Sequence, residues 1–346
     1  MYDSDTSTVT DALKGSNTAV FTDDTISKIL ALTTSDNATV RFDTATPDAN
    51  GNVTVAAGAE VVLISSSDTT QTTLTPPANA PVVIFQGKGG VDVTINDGST
   101  TPAHQPGVTD RVVIGSAGND KIVITDAKNT QVVLGSGDST VVGGAGSDTI
   151  VAGLGNSTIE GGKHDIVKMT GGEADYTVTV DNGHAVVTHN GTDKVTDISK
   201  IQYVQLDNGK ALVFANDTQQ AAVTTLYETT FGRTADAGGL QYWFDRAAAG
   251  TSLDQIAKEF TQSTEFTATS GQLDNDDFVQ ALYQQTFGRT ADDDGLAYWT
   301  AALETGGATR AQLIKSFSDI AAHNIDGSIH TEATVVGSVT IVHNIV

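Results

Sequence analysis

The chain has 346 residues and a formal net charge of −24, and 34 of its 42 acidic residues are aspartate. So negative a field disfavours binding to nucleic acid and to anionic membrane surfaces. The sequence contains no cysteine, which excludes disulfides and thiol chemistry, and no apolar run long enough for membrane insertion. An acidic, soluble surface explains the charge. The excess of aspartate over glutamate is better suited to turns and to binding hard cations such as Ca²⁺.

Residues 1–57 are rich in Thr, Asp and Ala, and their weak pattern leaves the fold of this segment uncertain. One stretch has apolar residues at helical spacing, namely Ile26, Ile29, Leu30 and Leu32. We expect a short helix there, with Asp24 or Thr25 as its cap. The initial MYDSDTSTVTDALKGS has neither the basic start nor the apolar core of a signal peptide, so an export signal is expected elsewhere.

Short apolar runs recur between residues 58 and 173, and their spacing settles to about ten and then nine residues. The clearest are VVLI (61–64), VVIF (82–85), VVI (112–114), IVI (122–124), VVL (132–134) and IV (150–151). Gly, Asp, Asn and Ser fill the intervals. Strands too short for an independent sheet, repeated at a fixed period, predict a parallel β-solenoid over 58–173, of the β-roll or β-helix type.

The loops between these strands carry two related glycine patterns. GGAGSDTIV (143–151) fits the nonapeptide G-G-x-G-x-D-x-U-x, where U is a large apolar residue, and GSAGNDKIV (115–123) fits it with one change. GSGDSTV (135–141) and GLGNSTI (153–159) match each other 18 residues apart. This alternation predicts coils of 18 residues with two strands and two loops each, so that the two kinds of loop lie on opposite edges.

The same register aligns polar side chains in two columns. One column, the Asp138 edge, contains Asp120, Asp138 and Asn156, and the other, the Asp148 edge, contains Asp148 and Asp165. Ca²⁺ requires about six to eight oxygen ligands, which two stacked loops supply through carboxylates and backbone carbonyls. The glycines that free the backbone to turn its carbonyls toward an ion are Gly143, Gly144, Gly146 and Gly161.

The alternative on both edges is a calcium-free helix, in which stacked polar side chains form hydrogen-bonded ladders. The G-G-x-G-x-D pattern favours calcium on the Asp148 edge, whereas both interpretations stay open on the Asp138 edge.

Residues 174–216 have a different pattern, in which alternating runs such as TVTV, AVVTH and KIQYVQL are separated by DNG and HNG turns. This is the sequence signal of β-hairpins. Because the open end of a solenoid has to be covered, we expect the segment to form an antiparallel β cap.

Residues 217–325 contain a duplication: LYETTFGRTADAGGLQYW (226–243) recurs as LYQQTFGRTADDDGLAYW (282–299), 56 residues later. Apolar residues follow helical spacing in both copies, so the segment is predicted to be a duplicated helical bundle. Capping signals mark the helix starts at Asp217, Ser252 and Thr309.

Two features of the duplication have alternative interpretations. Trp243 and Trp299 are expected to be core anchors, with sugar stacking as the alternative. The DDDG sequence at 292–295 suggests a metal loop, but the EF-hand pattern fails in both copies. We expect a helix cap with a tight turn instead.

The nonapeptide repeats, the hairpin segment after them and the FGRTAD…GL.YW motif together resemble secreted bacterial RTX proteins. The duplicated unit resembles a helical domain of unknown function, related in pattern to phycobilisome linkers, that occurs in RTX adhesins and surface-layer proteins. The resemblance covers about residues 112–325. It implies a Ca²⁺-binding β-roll, type I secretion through an uncleaved C-terminal signal, and a place at the cell surface or in the extracellular matrix.

No catalytic constellation is visible in the sequence. It lacks an HExxH zinc helix, a G-x-S-x-G elbow and a P-loop, and its seven histidines are dispersed. We therefore expect no enzyme activity and consider two functions. The first is an extracellular calcium-binding structural or adhesive protein that self-assembles as a homo-oligomer or polymer, in a surface layer, a filament or a biofilm. The second is a secreted module that binds a polysaccharide, which the scarcity of Tyr and Trp disfavours.

The C-terminal residues, 326–346, form either a strand or a secretion tail. TVVGSVTIVHNIV (334–346) is rich in β-branched residues and follows a helical domain that offers no sheet nearby. We expect it to fold back on its own solenoid or, preferably, to add to a sheet of a neighbouring subunit. The residues of that assembly contact are expected to be Val335, Val339, Ile341 and Ile345.

Overall fold

The computed structural model describes residues 2–33, 39–162, 164–181, 184–207, 209–215, 217–233, 235–323, 331–336 and 339–344. The chain divides into two compact units, Met1–Asn208 and Gly209–Val346.

The first unit contains two sheets, which are mostly parallel. The first sheet is formed by β1 (Tyr2–Asp5), β2 (Thr39–Ala45), β3 (Val61–Ser65), β5 (Val82–Gln86), β7 (Arg111–Ile114), β9 (Thr130–Val133), β11 (Thr149–Val151), β13 (Ile166–Met169) and β17 (Tyr203–Leu206). The second sheet is formed by β4 (Thr72–Leu74), β6 (Val91–Ile95), β8 (Lys121–Ile124), β10 (Ser139–Val142), β12 (Ser157–Glu160), β14 (Tyr176–Asp181), β15 (His184–His189) and β16 (Val195–Ser199).

From β3 to β13 the chain alternates between the two sheets. In the first sheet β3, β5, β7, β9, β11 and β13 follow one another as parallel neighbours, and in the second β4, β6, β8, β10 and β12 do the same. One coil is therefore a strand of each sheet with the two loops that join them. This confirms the parallel pairing and the two opposite edges that the sequence period predicts.

The parallel register stacks one aliphatic residue of each strand on its equivalent in the next coil. In the second sheet Ile122, Val141, Ile159 and Ile198 form such a stack, and in the first sheet Val132, Ile150, Val167 and Val204 form another. Each of these eight side chains is at most 1% exposed. Strands of only three or four residues are thus held mainly by what lies above and below them.

The parallel region is longer than the predicted 58–173 at both ends. Strand β2 already pairs in parallel with β3, so the stack begins before residue 58. Strands β16 and β17 pair in parallel with β12 and β13, so it continues beyond residue 173. The predicted antiparallel cap over 174–216 is present where β15 pairs with β14 and with β16, and it is wrong for the parallel pairing of β16 with β12 and of β17 with β13. Alternation alone did not distinguish the two cases because parallel coil strands and hairpin strands share it.

Two helices precede the parallel strands, α1 (Thr6–Ser16) and α2 (Asp23–Thr33). Ile26 and Ile29 of α2 are buried, as the helical spacing predicts, in a cluster with Val61, Val82 and Val112 of the first sheet. The helix cap differs from the prediction. The hydroxyl of Thr22, rather than Asp24 or Thr25, accepts a hydrogen bond from the Thr25 N–H at 3.2 Å.

The second unit contains most of the described helices. They are α3 (Thr218–Phe231), α4 (Ala237–Ala248), α5 (Leu253–Gln262), α6 (Thr264–Ala268), α7 (Asn275–Phe287), α8 (Asp293–Glu304) and α9 (Arg310–His323). Its strands are β18 (Ala211–Ala215), β19 (Thr331–Val336) and β20 (Val339–Asn344). In the described part of the chain, no helix is long and apolar enough to cross a bilayer.

The predicted caps are present at the helix starts of the second unit. Asp217 and Ser252 accept hydrogen bonds from the backbone N–H groups of the residues three positions later, and Thr309 exchanges hydrogen bonds with Gln312. In the DDDG sequence, Asp292 caps α8 by accepting from the Gly295 N–H at 2.8 Å. That arrangement is the helix cap that the sequence predicts.

The duplication produces the same aromatic cluster twice. Trp243 contacts Phe260 with ring centroids 4.8 Å apart, and Trp299 contacts Phe317 at 5.7 Å. A Tyr and a Phe from the preceding helix complete each cluster. Both tryptophans are half-buried and pack against the aromatic cluster of their copy.

The C-terminal strand pairs within its own chain. Strand β20 lies antiparallel between β18 and β19, with Ile341 opposite Phe214. The preferred expectation, that this strand adds to a neighbouring subunit, is therefore corrected for β20, because β18 offers a sheet partner before the helices begin. Val335 lies in β19, Val339 and Ile341 lie in β20, and Ile345 lies outside the described residues.

Ile159→Ala should destabilise the first unit by about 3 kcal/mol, because the lost side chain leaves a cavity between Val141 and Ile198. Thr158→Ala, at the exposed neighbouring position of the same strand, should change stability by less than about 0.5 kcal/mol. Urea unfolding at saturating calcium measures both variants. Equal stabilities of the two variants would contradict the stacked core.

Candidate calcium site

Two aspartates on the Asp148 edge join neighbouring coils through their carboxylates. Oδ1 of Asp148 accepts the Thr130 backbone N–H of the coil below at 2.7 Å, and Oδ1 of Asp165 accepts the Asp148 N–H at 2.7 Å. The second oxygen of each carboxylate binds its own loop, at the Gly144 N–H (3.0 Å) and the Gly162 N–H (2.6 Å) respectively. The predicted column is thus present, and it is continuous.

These carboxylates are buried, with only 1% of Asp148 and 3% of Asp165 exposed. Burial raises the pKa of Asp148 to about 6. Burial, together with the negative charge of Asp148, raises the pKa of Asp165 to about 8. Two like charges in a poorly solvated place are unfavourable unless a cation joins them.

Glycine is required where the loops of successive coils approach each other. A Cβ on Gly143 would lie 2.2 Å from Oδ2 of Asp165 and 3.3 Å from Oδ2 of Asp148. On Gly144 or Gly146 it would lie within 2.4 Å of a backbone carbonyl of the coil below. These three glycines therefore leave the space around the carboxylates and carbonyls free. Gly161 has another role, because its Cβ would meet the side chain of Ile201 at 2.2 Å.

The Asp138 edge is a hydrogen-bonded ladder. The side-chain oxygen of Asn119 accepts the Asp138 N–H at 2.9 Å, Asp138 accepts the Asn156 N–H at 2.8 Å, and Asn156 accepts the Val195 N–H at 3.0 Å. Asp138 and Asn156 are exposed. The polar-ladder interpretation therefore describes the contacts on this edge.

Asp120 does not belong to the column to which its spacing assigned it. The hydrogen bond between Asn119 and Asp138 spans 19 residues, one more than the predicted period, so Asn119 takes that place. The Asp120 carboxylate is buried and accepts hydrogen bonds from the Ser116 N–H and the Val91 N–H. Burial raises its pKa as well.

The residues of the Asp148 edge fit Ca²⁺. Oxygen is the donor atom that Ca²⁺ prefers, and the site offers two carboxylates next to glycine-lined backbone carbonyls. Asp148 and Asp165 would hold the ion, with the carbonyls of their loops and water completing its ligands. Within the described residues no three His, Cys, Asp or Glu side chains converge as a metal cluster. Such a site consequently depends on backbone oxygens.

Sequence reasoning missed the buried pair of Arg111 and Asp126. Their side chains form two hydrogen bonds of 2.8 Å each, and each residue is 1% exposed. The TDAKNT sequence (125–130) departs from the glycine pattern, which was the available signal.

Comparison with protein families assigns two regions of the chain. The RTX calcium-binding nonapeptide repeat, in four copies, matches residues 126–163, and a domain of unknown function, DUF4214, matches residues 211–269 and 257–322. RTX repeats bind Ca²⁺ and are typical of proteins exported by type I secretion. Searches of curated proteins and of solved structures find no match. The repeat region thus identifies calcium as the ion for the segment that contains Asp148.

Without calcium, stability should fall as pH rises. The folded pKa values of Asp148 and Asp165 lie above their ordinary value of 3.8, so the protonated forms stabilise the folded state at low pH. This stabilisation is fully present below about pH 4. As pH rises, the part from Asp148 is lost near pH 6 and the part from Asp165 is lost near pH 8. Because one pKa unit corresponds to about 1.4 kcal/mol, the loss is on the order of a few kcal/mol.

Thermal unfolding in chelator between about pH 5 and about pH 8 measures this effect. Saturating calcium should remove most of the pH dependence, since the ion takes the place of the protons. The variant Asp148→Asn/Asp165→Asn should show little dependence even in chelator. A wild-type melting temperature that is constant or rises over this range would contradict the assignment.

Asp148→Asn should weaken calcium binding by on the order of tenfold or more, because the amide keeps an acceptor for the Thr130 N–H but removes a ligand charge. Asp138→Asn makes the same chemical change on the opposite edge and should leave the affinity nearly unchanged. Isothermal titration calorimetry compares the two. A larger effect of Asp138→Asn would show that calcium binds on the Asp138 edge and would contradict the site at Asp148.

Proposed function

We propose that the protein is an extracellular structural or adhesive component that calcium makes rigid and that self-assembles at the cell surface or in the surrounding matrix. The observation that carries the proposal is the buried pair of Asp148 and Asp165 within a segment that matches RTX repeats. Burial raises the pKa of Asp165 to about 8, so this carboxyl stays mostly protonated at neutral pH unless a cation binds beside it and Asp148. Calcium outside the cell supplies that cation.

The coils of the first unit are proposed to form a β-roll solenoid that folds on export. Calcium bound only by the folded state stabilises it by mass action, by roughly 3 kcal/mol at a hundredfold excess over the dissociation constant. In a compartment with little calcium the coils that carry Asp148 and Asp165 are less stable, which favours passage of an unfolded chain through a type I channel. Outside the cell, calcium binds these coils and stabilises their folded state.

Assembly is proposed to use the outer edge of β19. The sheet order β18-β20-β19 gives β19 a single neighbour among the described strands, so its other side is an edge. An edge strand of a second copy pairs with such a strand through its backbone. A contact of this kind joins different surfaces of the two copies when it does not close, and then it produces a filament or lattice.

A role without catalysis is part of the proposal. Among the described side chains, the histidine–aspartate pairs are His184 with Asp197 and His104 with Asp110. In the described part of the chain, neither pair is hydrogen-bonded to a serine or threonine hydroxyl. Paired carboxylates occur instead in the coil stack, where they bind backbone N–H groups.

One observation favours the second function, binding to a polysaccharide. Tyr242 is 53% exposed and Tyr298 is 67% exposed, at equivalent positions of the two helical copies. Each stands edge-on to the following tryptophan at 4.9 Å. Exposed aromatic rings of this kind stack on sugars. A glycan that raises the melting temperature of a monomer, with the effect lost in Tyr298→Ala, would support this function over assembly.

Purified protein should form ordered assemblies in millimolar calcium and remain dispersed in chelator, as seen by electron microscopy. Val335→Lys places a charge in β19 and should reduce assembly, because lysine protects edge strands from pairing. Val335→Thr keeps a β-branched side chain without charge and should assemble like the wild type. Normal assembly of Val335→Lys would exclude β19 as the connection, and a monomer under all conditions would overturn the structural role.

A further inference from the structure

The residues at the strand starts of the first sheet form one vertical column on the Asp148 edge. Arg111 is in register with Thr130, the Thr130 N–H binds Asp148, and the Asp148 N–H binds Asp165. The upper two positions thus carry the motif aspartates. The lower two carry an arginine and a threonine.

The loop below the Asp148 loop supplies its carboxylate from a different motif position. Its sequence TDAKNT (125–130) has Asp126 where the next loop has Gly144. The stacking is direct, because the Ala145 N–H donates to the Asp126 carbonyl at 3.0 Å and a Cβ on Gly144 would lie 2.3 Å from that carbonyl. A carboxylate is therefore present at this level, but it belongs to the second position of the motif and not to the sixth.

Arg111 places its guanidinium against this carboxylate. Nη1 donates to Oδ2 of Asp126 and Nη2 donates to Oδ1, each at 2.8 Å. Nη2 also donates to the Thr130 hydroxyl at 2.9 Å, on the residue whose N–H binds Asp148. Although burial opposes ionisation, the hydrogen bonds and charge of Arg111 keep the pKa of Asp126 below its ordinary value.

The charge of Arg111 also acts on the next coil. This positive charge attracts the Asp148 carboxylate, whereas the negative charge of Asp126 repels it. Moving up the column, the charges are therefore a neutralised pair at Asp126 and then two carboxylates, Asp148 and Asp165, whose oxygens accept hydrogen bonds from backbone N–H groups.

We propose that the guanidinium of Arg111 takes the place of a calcium ion at the lower end of the column and so fixes where calcium binding begins. This inference rests on the calcium site at Asp148 and Asp165. Below Asp148 the protein supplies its own cation, so the coils up to β9 fold without the ion. Above it, the carboxylates depend on calcium.

A buried arginine–aspartate pair that only holds the fold predicts a different outcome when the arginine is removed. Loss of one partner from such a pair leaves an uncompensated buried charge and destabilises the protein whatever the ion concentration. If Arg111 replaces an ion, calcium compensates for its loss, because Asp126 and Asp148 then have the space and charge to bind one. The two roles therefore differ in their response to calcium.

The test uses the full chain with Arg111→Gln and, as the matched control, Arg111→Gln/Asp126→Asn, which removes both charges. Equilibrium dialysis measures bound calcium per chain, and circular dichroism follows thermal unfolding in chelator and in calcium. Arg111→Gln should bind one more calcium than the wild type, and its calcium-induced rise in melting temperature should exceed that of the wild type. The double variant should bind the wild-type number.

Three outcomes would overturn the inference. In the first, Arg111→Gln folds and binds no additional calcium, and in the second it remains unfolded at every calcium concentration while the double variant folds. In both cases the pair is structural only. A wild-type protein that binds no calcium would instead remove the site at Asp148 and Asp165, and dialysis of the wild type distinguishes that failure from the other two.

Discussion

The hydrogen bond from the Asp148 backbone N–H to the Asp165 carboxylate joins two coils, and the bond from the Thr130 N–H to Asp148 joins the next two. These bonds fix the register of the stack, but they require carboxylates to lie one above another in a place with little solvent. The glycines around them allow the loops to approach closely enough for the bonds to form. The carboxylates of Asp148 and Asp165 therefore fix the stacking of the coils through hydrogen bonds and, because they repel each other, also destabilise it.

The coils near the two ends of the first unit differ in how much apolar surface they bury. Near the N-terminus, strands such as β5 are buried almost throughout, and two helices cover the sheet with a further apolar cluster. Strands β10, β11 and β12 are shorter and alternate, so that each contributes one or two side chains to the core. Because burial contributes less per coil there, the electrostatics of the loops matters most in that region.

The period of the apolar runs was sufficient to predict parallel sheets, two edges and the column of Asp148 and Asp165, because a repeat fixes its own neighbours. The period gave the wrong residue where a coil is one residue longer than predicted. The sequence placed Asp120 beneath Asp138, whereas the structure has Asn119 there. Pairings between distant segments, such as β12 with β16 and β18 with β20, leave no local signal. The pair of Arg111 and Asp126 likewise depends on a contact between coils, which no single loop sequence specifies.

The pairing of β18 with β20 has a consequence for the order of events during synthesis. Strand β18 precedes helices α3 to α9 and β20 follows them, so the sheet of this unit joins segments made before the helices with segments made after them. A growing chain that has completed these helices still lacks β20. Closure of this sheet therefore needs residues 339–344, whereas each strand from β3 to β11 pairs with the next strand but one along the chain.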